Sequence, residues 1–354
     1  MKIANINLHS FRIHLQFDTL MKIKISQIFL FFSTLLLLYN SCRGIDLNSE
    51  NQLHQDNIHI SKWYRGASSA MAFMWDDTNA NHYTSVGPLF DSFGYHTSFG
   101  VITISLNDHI NGYKSLVANG HEICSHSVTH TNPSSLTQEQ IIRELKDSKE
   151  SISNSLGVFP TTFIHPFDIT NNIYNKFLGD YYLYSRIYNQ YQDSTNSVVA
   201  MLSSFDYDYF VSTYNLGVKA HNWITYAGHG LDGQGWEAIK SSELNKFLHF
   251  LKFNTNTWVD TYSRIAIYNE VRLKVKSVEI GKNFIKVSDA AVNYSRFVPF
   301  KISEIPITIE IESNEDLFDI SGDNIIEKSY NNKTYFITIN LLKGNTFYYT
   351  RKII

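Results

Sequence analysis

Met71-Ala-Phe-Met-Trp75-Asp76-Asp77 is an apolar run of strand length that stops at two carboxylates, and about fifty residues later Gly120-His-Glu-Ile-Cys124 runs into Ser125-His126-Ser-Val-Thr-His130. Each stretch delivers polar chemistry at the end of a strand. One carboxylate and two imidazoles suit a divalent metal, and the second carboxylate is left over as a base. The i, i+4 spacing of His126 and His130 puts both rings on one face when the turn is helical. Taken singly, the aspartates read as a helix cap and an exposed turn charge, and the histidines as polar residues of a helix start. Together they read as the site of a metal-assisted hydrolase.

Outward from these stretches, short apolar runs alternate with helix-like segments, the pattern of a parallel βα architecture. Ala67–Trp75, Ser98–Ile104, Gly120–Cys124, Thr161–Ile164 and Trp223–Ala227 read as strands. Thr137–Leu156 is the clearest helix, with caps at its start and Gly157 and Pro160 at its end. Ser241–Phe253 and Trp258–Leu273 read as two more helices. The strand ends carry Asp-Asp, His-Ser-Val-Thr-His, His-Pro-Phe-Asp and Gly-His-Gly, which places the candidate chemistry on the carboxyl rim of a barrel. Beyond about Val271 the character changes to alternating runs, Leu273–Ile280, Phe284–Val287, Ile305–Ile311 and Tyr335–Leu341, separated by Gly and Asn turns. The expected fold is α/β, a distorted (β/α) barrel over 60–272 followed by a small all-β, sandwich-like domain over 273–354.

The 354 residues suffice for such an arrangement, and 43% hydrophobic and 14% aromatic residues describe a chain able to bury a sizeable core. A formal net charge of −3 shows no basic excess of the kind nucleic acid requires. A neutral or weakly cationic polymer is the better partner.

Lys22-Ile-Lys24, the apolar run Ile28–Tyr39 and Ser41-Cys42 form a basic flank, a short apolar stretch and a small residue before a break. The run is shorter than the roughly 20 apolar residues of a membrane span, so residues 1–42 read as an export signal, with Met21 an alternative start. Ser41-Cys42 resembles the cleavage site of bacterial lipoproteins, which makes Cys42 the expected lipid anchor to a membrane of the cell envelope. Cys42 and Cys124 are the only cysteines. No disulfide framework is expected, and Cys124 reads as a buried thiol. Residues 43–59, rich in Asn, Gln, Asp and Ser, read as a flexible tether.

Asp76-Asp77, His126-x-x-x-His130, Phe163-Ile-His-Pro166-Phe167-Asp168 and Gly228-His229-Gly230 stand in the order of the motifs of the polysaccharide deacetylases, and the stretch from Trp63 to Arg272 resembles that family, carbohydrate esterase family 4 with its NodB-like fold. The resemblance implies a barrel of about seven strands that removes acetyl groups from N- or O-acetylated sugars. It implies Asp77, His126 and His130 as metal ligands, Asp76 as general base and His229 as general acid. It also implies the backbone N–H of Phe167 as a partner of the oxyanion. Zinc is the expected metal, with cobalt, nickel and iron as alternatives. His165 stands where many members carry an arginine that orients the base, and an imidazole lacks the permanent forked charge of guanidinium. Asp206 and Asp208 are the candidates for tuning His229, and Trp63, Tyr64, Tyr83 and Trp236 for stacking on sugar rings.

The expected function is therefore metal-dependent deacetylation of an acetylated polysaccharide, an N-acetylhexosamine glycan first. The competing expectation, from a different class, is a surface glycan-binding lipoprotein without catalysis. Retention of both aspartates, both paired histidines and His229 speaks for the enzyme.

Overall fold

The computed structural model describes residues 57–187, 196–220, 223–313 and 318–351. The expected export signal, the start at Met21, the lipid-bearing Cys42 and the tether as far as residue 56 lie outside the described residues. The tether ends earlier than expected, because Ile58–Ile60 form a strand, β1, that pairs with a strand near the C-terminus. Its alternation of apolar and polar residues suits a sheet edge, and three residues are too few to announce it in the sequence.

The parallel part follows. Its strands are β2 (Ser69–Trp75), β3 (Ser98–Val101), β4 (Glu122–Ser125), β5 (Thr162–Ile164), β6 (Tyr184–Arg186), β7 (Asn196–Ala200), β8 (Trp223–Gly228) and β9 (Thr257–Val259). The order β6-β5-β4-β3-β2-β8-β7 makes a curled, open barrel with β6 and β7 at its edges. Helices α1 (Gly87–Phe93), α2 (Ile110–Ala118), α3 (Gln138–Leu156), α4 (Asn172–Tyr181), α5 (Tyr207–Ala220), α6 (Ser241–Asn254) and α7 (Tyr262–Lys274) connect and follow the strands.

β2 sits between β3 and β8 and is buried along its whole length, which is why it reads as a continuous apolar run rather than an alternating one. Phe73 packs between Phe90, Tyr226 and Phe247, with ring centroids 4.9, 5.5 and 6.4 Å away. Each such buried side chain contributes roughly 1.5–3 kcal/mol, so the strand that carries the aspartates is firmly held in the core. α3 starts in a capping box, the Thr137 Oγ1 accepting from Gln140 N–H and the Gln140 Oε1 from Thr137 N–H. It ends at Gly157, whose φ of 73° suits a residue without Cβ. Its buried face, Ile141, Glu144, Leu145, Ser148, Ile152 and Leu156, has the helical repeat.

Three expected elements are divided differently. Trp258 and Val259 belong to β9 rather than to the helix, because β3 pairs with β2 only at Met74 and Trp75 and leaves room for β9 beside Ser69–Met71. The second expected strand run, Ser98–Ile104, stops at Val101 and turns into a 3-10 segment, Thr103–His109. Leu273 and Lys274 complete α7 before the next strand starts at Val278.

That strand is β10 (Val278–Ile280), followed by β11 (Phe284–Val287), β12 (Pro306–Glu312), β13 (Phe318–Ser321), β14 (Ile325–Asn331), β15 (Thr334–Asn340) and β16 (Thr346–Arg351). They form two four-stranded antiparallel sheets, β1-β12-β15-β14 and β10-β11-β16-β13. On one face Ile307 faces Ile339 and Ile309 faces Ile337, all fully buried. The described residues thus begin in the antiparallel region, build the barrel, and return to it.

Candidate active site

Every residue singled out at a strand end arrives on the same rim. Asp76 and Asp77 follow β2, His126 follows β4, His165 and Phe167 follow β5, and His229 follows β8. Backbone bonds fix these ends to one another: Asp76 N–H donates to Gly228 O at 2.7 Å, His126 N–H to Val101 O at 2.8 Å and His165 N–H to Arg186 O at 3.3 Å. The rim encloses a cleft of about 730 Å³ lined by these residues together with Arg186, Met201, Leu202 and Trp236 among others.

Asp77, His126 and His130 each offer one ligand atom, and these atoms lie within 4.8 Å of one another. His126 Nε2 and His130 Nε2 stand 3.7 and 3.9 Å from Asp77 Oδ1. The two histidines do not share a helix face, as their spacing suggested. They sit in a loop in which Ser127 (φ 68°) and His130 (φ 57°) are left-handed, and that doubled bend brings the rings to 4.5 Å. His126 Nδ1 is 3.0 Å from Ile164 O. A carbonyl there keeps the proton on Nδ1 and turns the lone pair of Nε2 toward Asp77. Burial pushes the His126 pKa down to about 4, which keeps the ring neutral and able to ligate. The donor set and its orientation fit a zinc-like dication with open positions.

Asp76 is buried, and its Oδ2 accepts from the equally buried guanidinium of Arg186, at the end of β6. Burial alone would raise its pKa, but Arg186, His126 and His229 outweigh it and hold the carboxyl below its ordinary value. Asp76 Oδ1 is buried without a hydrogen-bond partner among the described residues. Gly100 makes space there: a Cβ on it would stand 2.7 Å from Ile164 Cδ1 and 3.5 Å from that oxygen.

Arg186, which holds Asp76, is the cleft residue that the sequence did not disclose. The guanidinium missing at His165 arrives from the neighbouring strand, and nothing in Tyr184-Ser-Arg marks it. His165 is instead buried against Phe163 and Tyr174, with ring centroids 5.1 Å away in each case. Burial and the Arg186 charge push its pKa down to about 3. Phe167 (φ 54°) and Asp168 (φ 59°) make the turn after Pro166. That turn uses the N–H groups of Asp168 and Ile169, leaving the Phe167 N–H outside it.

His229 is partly buried, its ring 5.0 Å from Trp236 and its carbonyl 3.0 Å from His82 Nε2. Asp206 and Asp208 do not serve it. Both are exposed, and Asp206 Oδ1 accepts instead from Tyr209 N–H at 2.9 Å at the start of α5. Of the four aromatics considered for sugar stacking, Trp63 and Tyr64 are core residues and Tyr83 packs on His109, so only Trp236 stands in the cleft. Cys124 is buried, as expected.

Residues 65–181 match the family model of polysaccharide deacetylases. The chain carries a polysaccharide deacetylase domain. Its matched stretch contains Asp76, Asp77, His126, His130, His165 and Phe167; Arg186 and His229 lie beyond it, on the strands that complete the rim. A gellan lyase from Bacillus sp is 23% identical over 310 residues, 77% of this chain, and the chain spans only 12% of that relative's length. Among solved structures, a family 4 carbohydrate esterase from Streptomyces lividans is 16% identical, with 55% of this chain and 92% of that one covered at a TM-score of 0.45. A peptidoglycan deacetylase from Bacillus subtilis is 13% identical, with 58% and 92% covered at a TM-score of 0.43.

Proposed function

We propose that this chain is a metal-dependent hydrolase that removes acetyl groups from a carbohydrate polymer, an N-acetylhexosamine glycan first. The observation that carries the reading is the meeting, on one rim, of a three-ligand group with a second, buried carboxylate that has one oxygen on Arg186 and the other free. Asp77, His126 and His130 would hold the dication, which when bound supplies a Lewis acid for the acetyl carbonyl and acidifies water.

The remaining roles fall to the chain's own groups. Asp76 Oδ1 takes the proton of the attacking water, while Arg186 keeps Oδ2 ionised and fixes the carboxylate plane. The Phe167 N–H donates to the oxyanion as the carbonyl becomes tetrahedral. His229 gives a proton to the departing sugar nitrogen, or oxygen if the bond is an ester. Retention of the metal then separates ligand from base. Asp76→Asn should keep about one ion per chain and lose activity by roughly two to four orders of magnitude, whereas Asp77→Asn should lose ion and activity together. Elemental analysis and acetate release measure both; an active Asp76→Asn protein would sink the mechanism.

We further propose that the protein is exported and held at a membrane through Cys42. The support is sequence alone: a basic flank, a short apolar run and Ser41-Cys42. A Cys42→Ala protein that is processed and retained like the wild type would refute this.

A further inference from the structure

A histidine that hands a proton to a leaving group must keep its ring in one place, and the ring of His229 offers little to hold. Its Nδ1 is buried without a hydrogen-bond partner among the described residues. Asp206 and Asp208 are exposed and do not reach it, and the indole of Trp236 meets it at 86° with no polar contact.

The hold is on the main chain instead. His229 O lies 3.0 Å from His82 Nε2, and two residues further on Leu231 N–H donates to Asn81 Oδ1 at 2.8 Å. Both partners belong to one segment, residues 77–82, that begins with the proposed metal ligand Asp77. The segment is tied within itself, Asn81 N–H donating to Asn79 Oδ1 at 2.9 Å and His82 N–H to Asn79 O at 3.2 Å. It leads into a π-helical turn, His82–Val86, closed by Gly87 N–H on His82 O. Such turns are rare and frequent at functional sites.

The partners of His82 place its protons. A carbonyl only accepts, so Nε2 carries the hydrogen and donates it to His229 O. Burial pushes the His82 pKa down to about 4 and keeps the ring neutral. Nδ1 is then an acceptor, and the Tyr113 O–H, 2.8 Å away on α2, donates to it. Tyr113 Oη in turn accepts from Asn79 N–H at 3.2 Å. His82 and Tyr113 are both fully buried, and a buried network with its donors and acceptors matched is rigid. The same few residues therefore fix the loop after β2, which carries Asp77, to the loop after β8, which carries His229.

We propose that His82, oriented by Tyr113, is the positioning residue of the general acid: it ties the His229 main chain to the segment of Asp77 and so sets the imidazole relative to the metal site. This rests on the deacetylase reading above and adds to it two residues that touch neither substrate nor metal.

The test uses the difference between leaving groups. A sugar nitrogen or alkoxide departs with a proton, whereas the phenolate of 4-nitrophenyl acetate departs without one, so a misplaced acid slows the first and spares the second. Turnover is measured with the N-acetylglucosamine pentasaccharide, with acetylated xylopentaose where that is refused, and with the aryl ester, in His82→Ala, Tyr113→Phe, His82→Gln and His229→Ala, each with its metal content. His82→Ala should lose kcat on the saccharide by roughly 100-fold, the scale of a misplacement of about 1 Å, with KM and metal content as in wild type and a much smaller loss on the ester. Tyr113→Phe, which deletes one hydroxyl, should show the same split at smaller size. His82→Gln, whose amide returns an N–H to the His229 carbonyl, should recover most of the kcat. In a His229→Ala background, His82→Ala should add no further loss on the saccharide, because the two residues act as a unit. Equal losses on saccharide and ester, or full additivity with His229→Ala, would overturn the proposal and leave His82 a structural residue. Should His82→Ala fail to fold, Tyr113→Phe decides, and saccharide turnover equal to that of wild type would overturn the proposal. Wild type that releases acetate from neither saccharide would overturn the deacetylase reading itself, and with it the role of His82.

Discussion

Arg186 and Asp76 form a pair whose side chains are 1% and 5% exposed, and at that burial the consequences of removing one partner differ from those of a surface bridge. Arg186→Gln leaves a carboxylate without its counter-charge in the interior, which typically costs about 3–5 kcal/mol. Urea titration should show that loss, and activity should fall as well if Asp76 is the base we propose, because it loses its orientation; Arg186→Lys, a point charge without the fork, should recover stability better than activity. His82 shows the opposite electrostatics. Its Nδ1 is 2.8 Å from Tyr113 Oη and its Nε2 bonds the His229 carbonyl, both inside the fold. Burial pushes its pKa down from 6.5 to about 4. Between those values the unfolded chain binds the proton and the folded one does not, so stability is full above pH 6.5 and falls as the pH drops toward 4. The shift corresponds to about 3 kcal/mol. In His82→Gln the decline in unfolding free energy from pH 7 to pH 4 should be shallower by an amount of that order, and an identical slope would show that His82 is already free to protonate in the folded protein.

At the scale of elements, the histidine loop is held by a helix. Glu144 of α3 accepts from Val128 N–H at 2.7 Å and Thr129 N–H at 3.0 Å through Oε2, and from Thr129 Oγ1 at 2.8 Å through Oε1. These bonds fasten the segment between His126 and His130 and so set the distance between the two proposed ligands. Glu144→Ala should weaken metal binding by roughly 10–100-fold, in the range of other groups that orient ligands, and Glu144→Gln by less because one oxygen acceptor remains. Competition with a chromophoric chelator measures this; equal affinity in Glu144→Ala and wild type would free the loop from the helix. This contact also marks where the sequence was readable. β2, β8 and α3 were legible because burial on both faces, or a capped amphipathic repeat, leaves a long signature. β6, β7 and β9, of three to five residues, leave almost none, and with β6 went Arg186. The bends at Asp77, Ser127, His130 and Phe167 were equally hidden, since left-handed backbone is announced by glycine and these positions carry none.

At the scale of the whole molecule, the two regions are interleaved rather than strung in series. β1 pairs with β12 through Ile58 and Ile311, His59 and Glu310, and Ile60 and Ile309, before the chain has made any barrel strand. Contacts between the regions then accumulate at their boundary: Ser61 N–H donates to Thr308 O at 2.8 Å and Arg65 N–H to Thr308 Oγ1 at 3.1 Å. Tyr268 Oη donates to Ser61 O at 2.9 Å, and Arg296 Nη1 reaches Glu270 Oε1 at 2.8 Å. Gly66 lies so close beneath Phe336 that a Cβ would stand 2.1 Å from its ring. Removing residues 276–354 would therefore strip β1 of its partner and uncover Gly66 and its surroundings, and the shortened chain should be recovered aggregated or with a lowered midpoint. The intact chain from residue 57 onward should unfold in a single calorimetric transition whose calorimetric and van't Hoff enthalpies agree. Two separated transitions, with the deacetylase domain active and soluble on its own, would mean that the antiparallel region is an independent attachment and that the shared strand carries little of the stability.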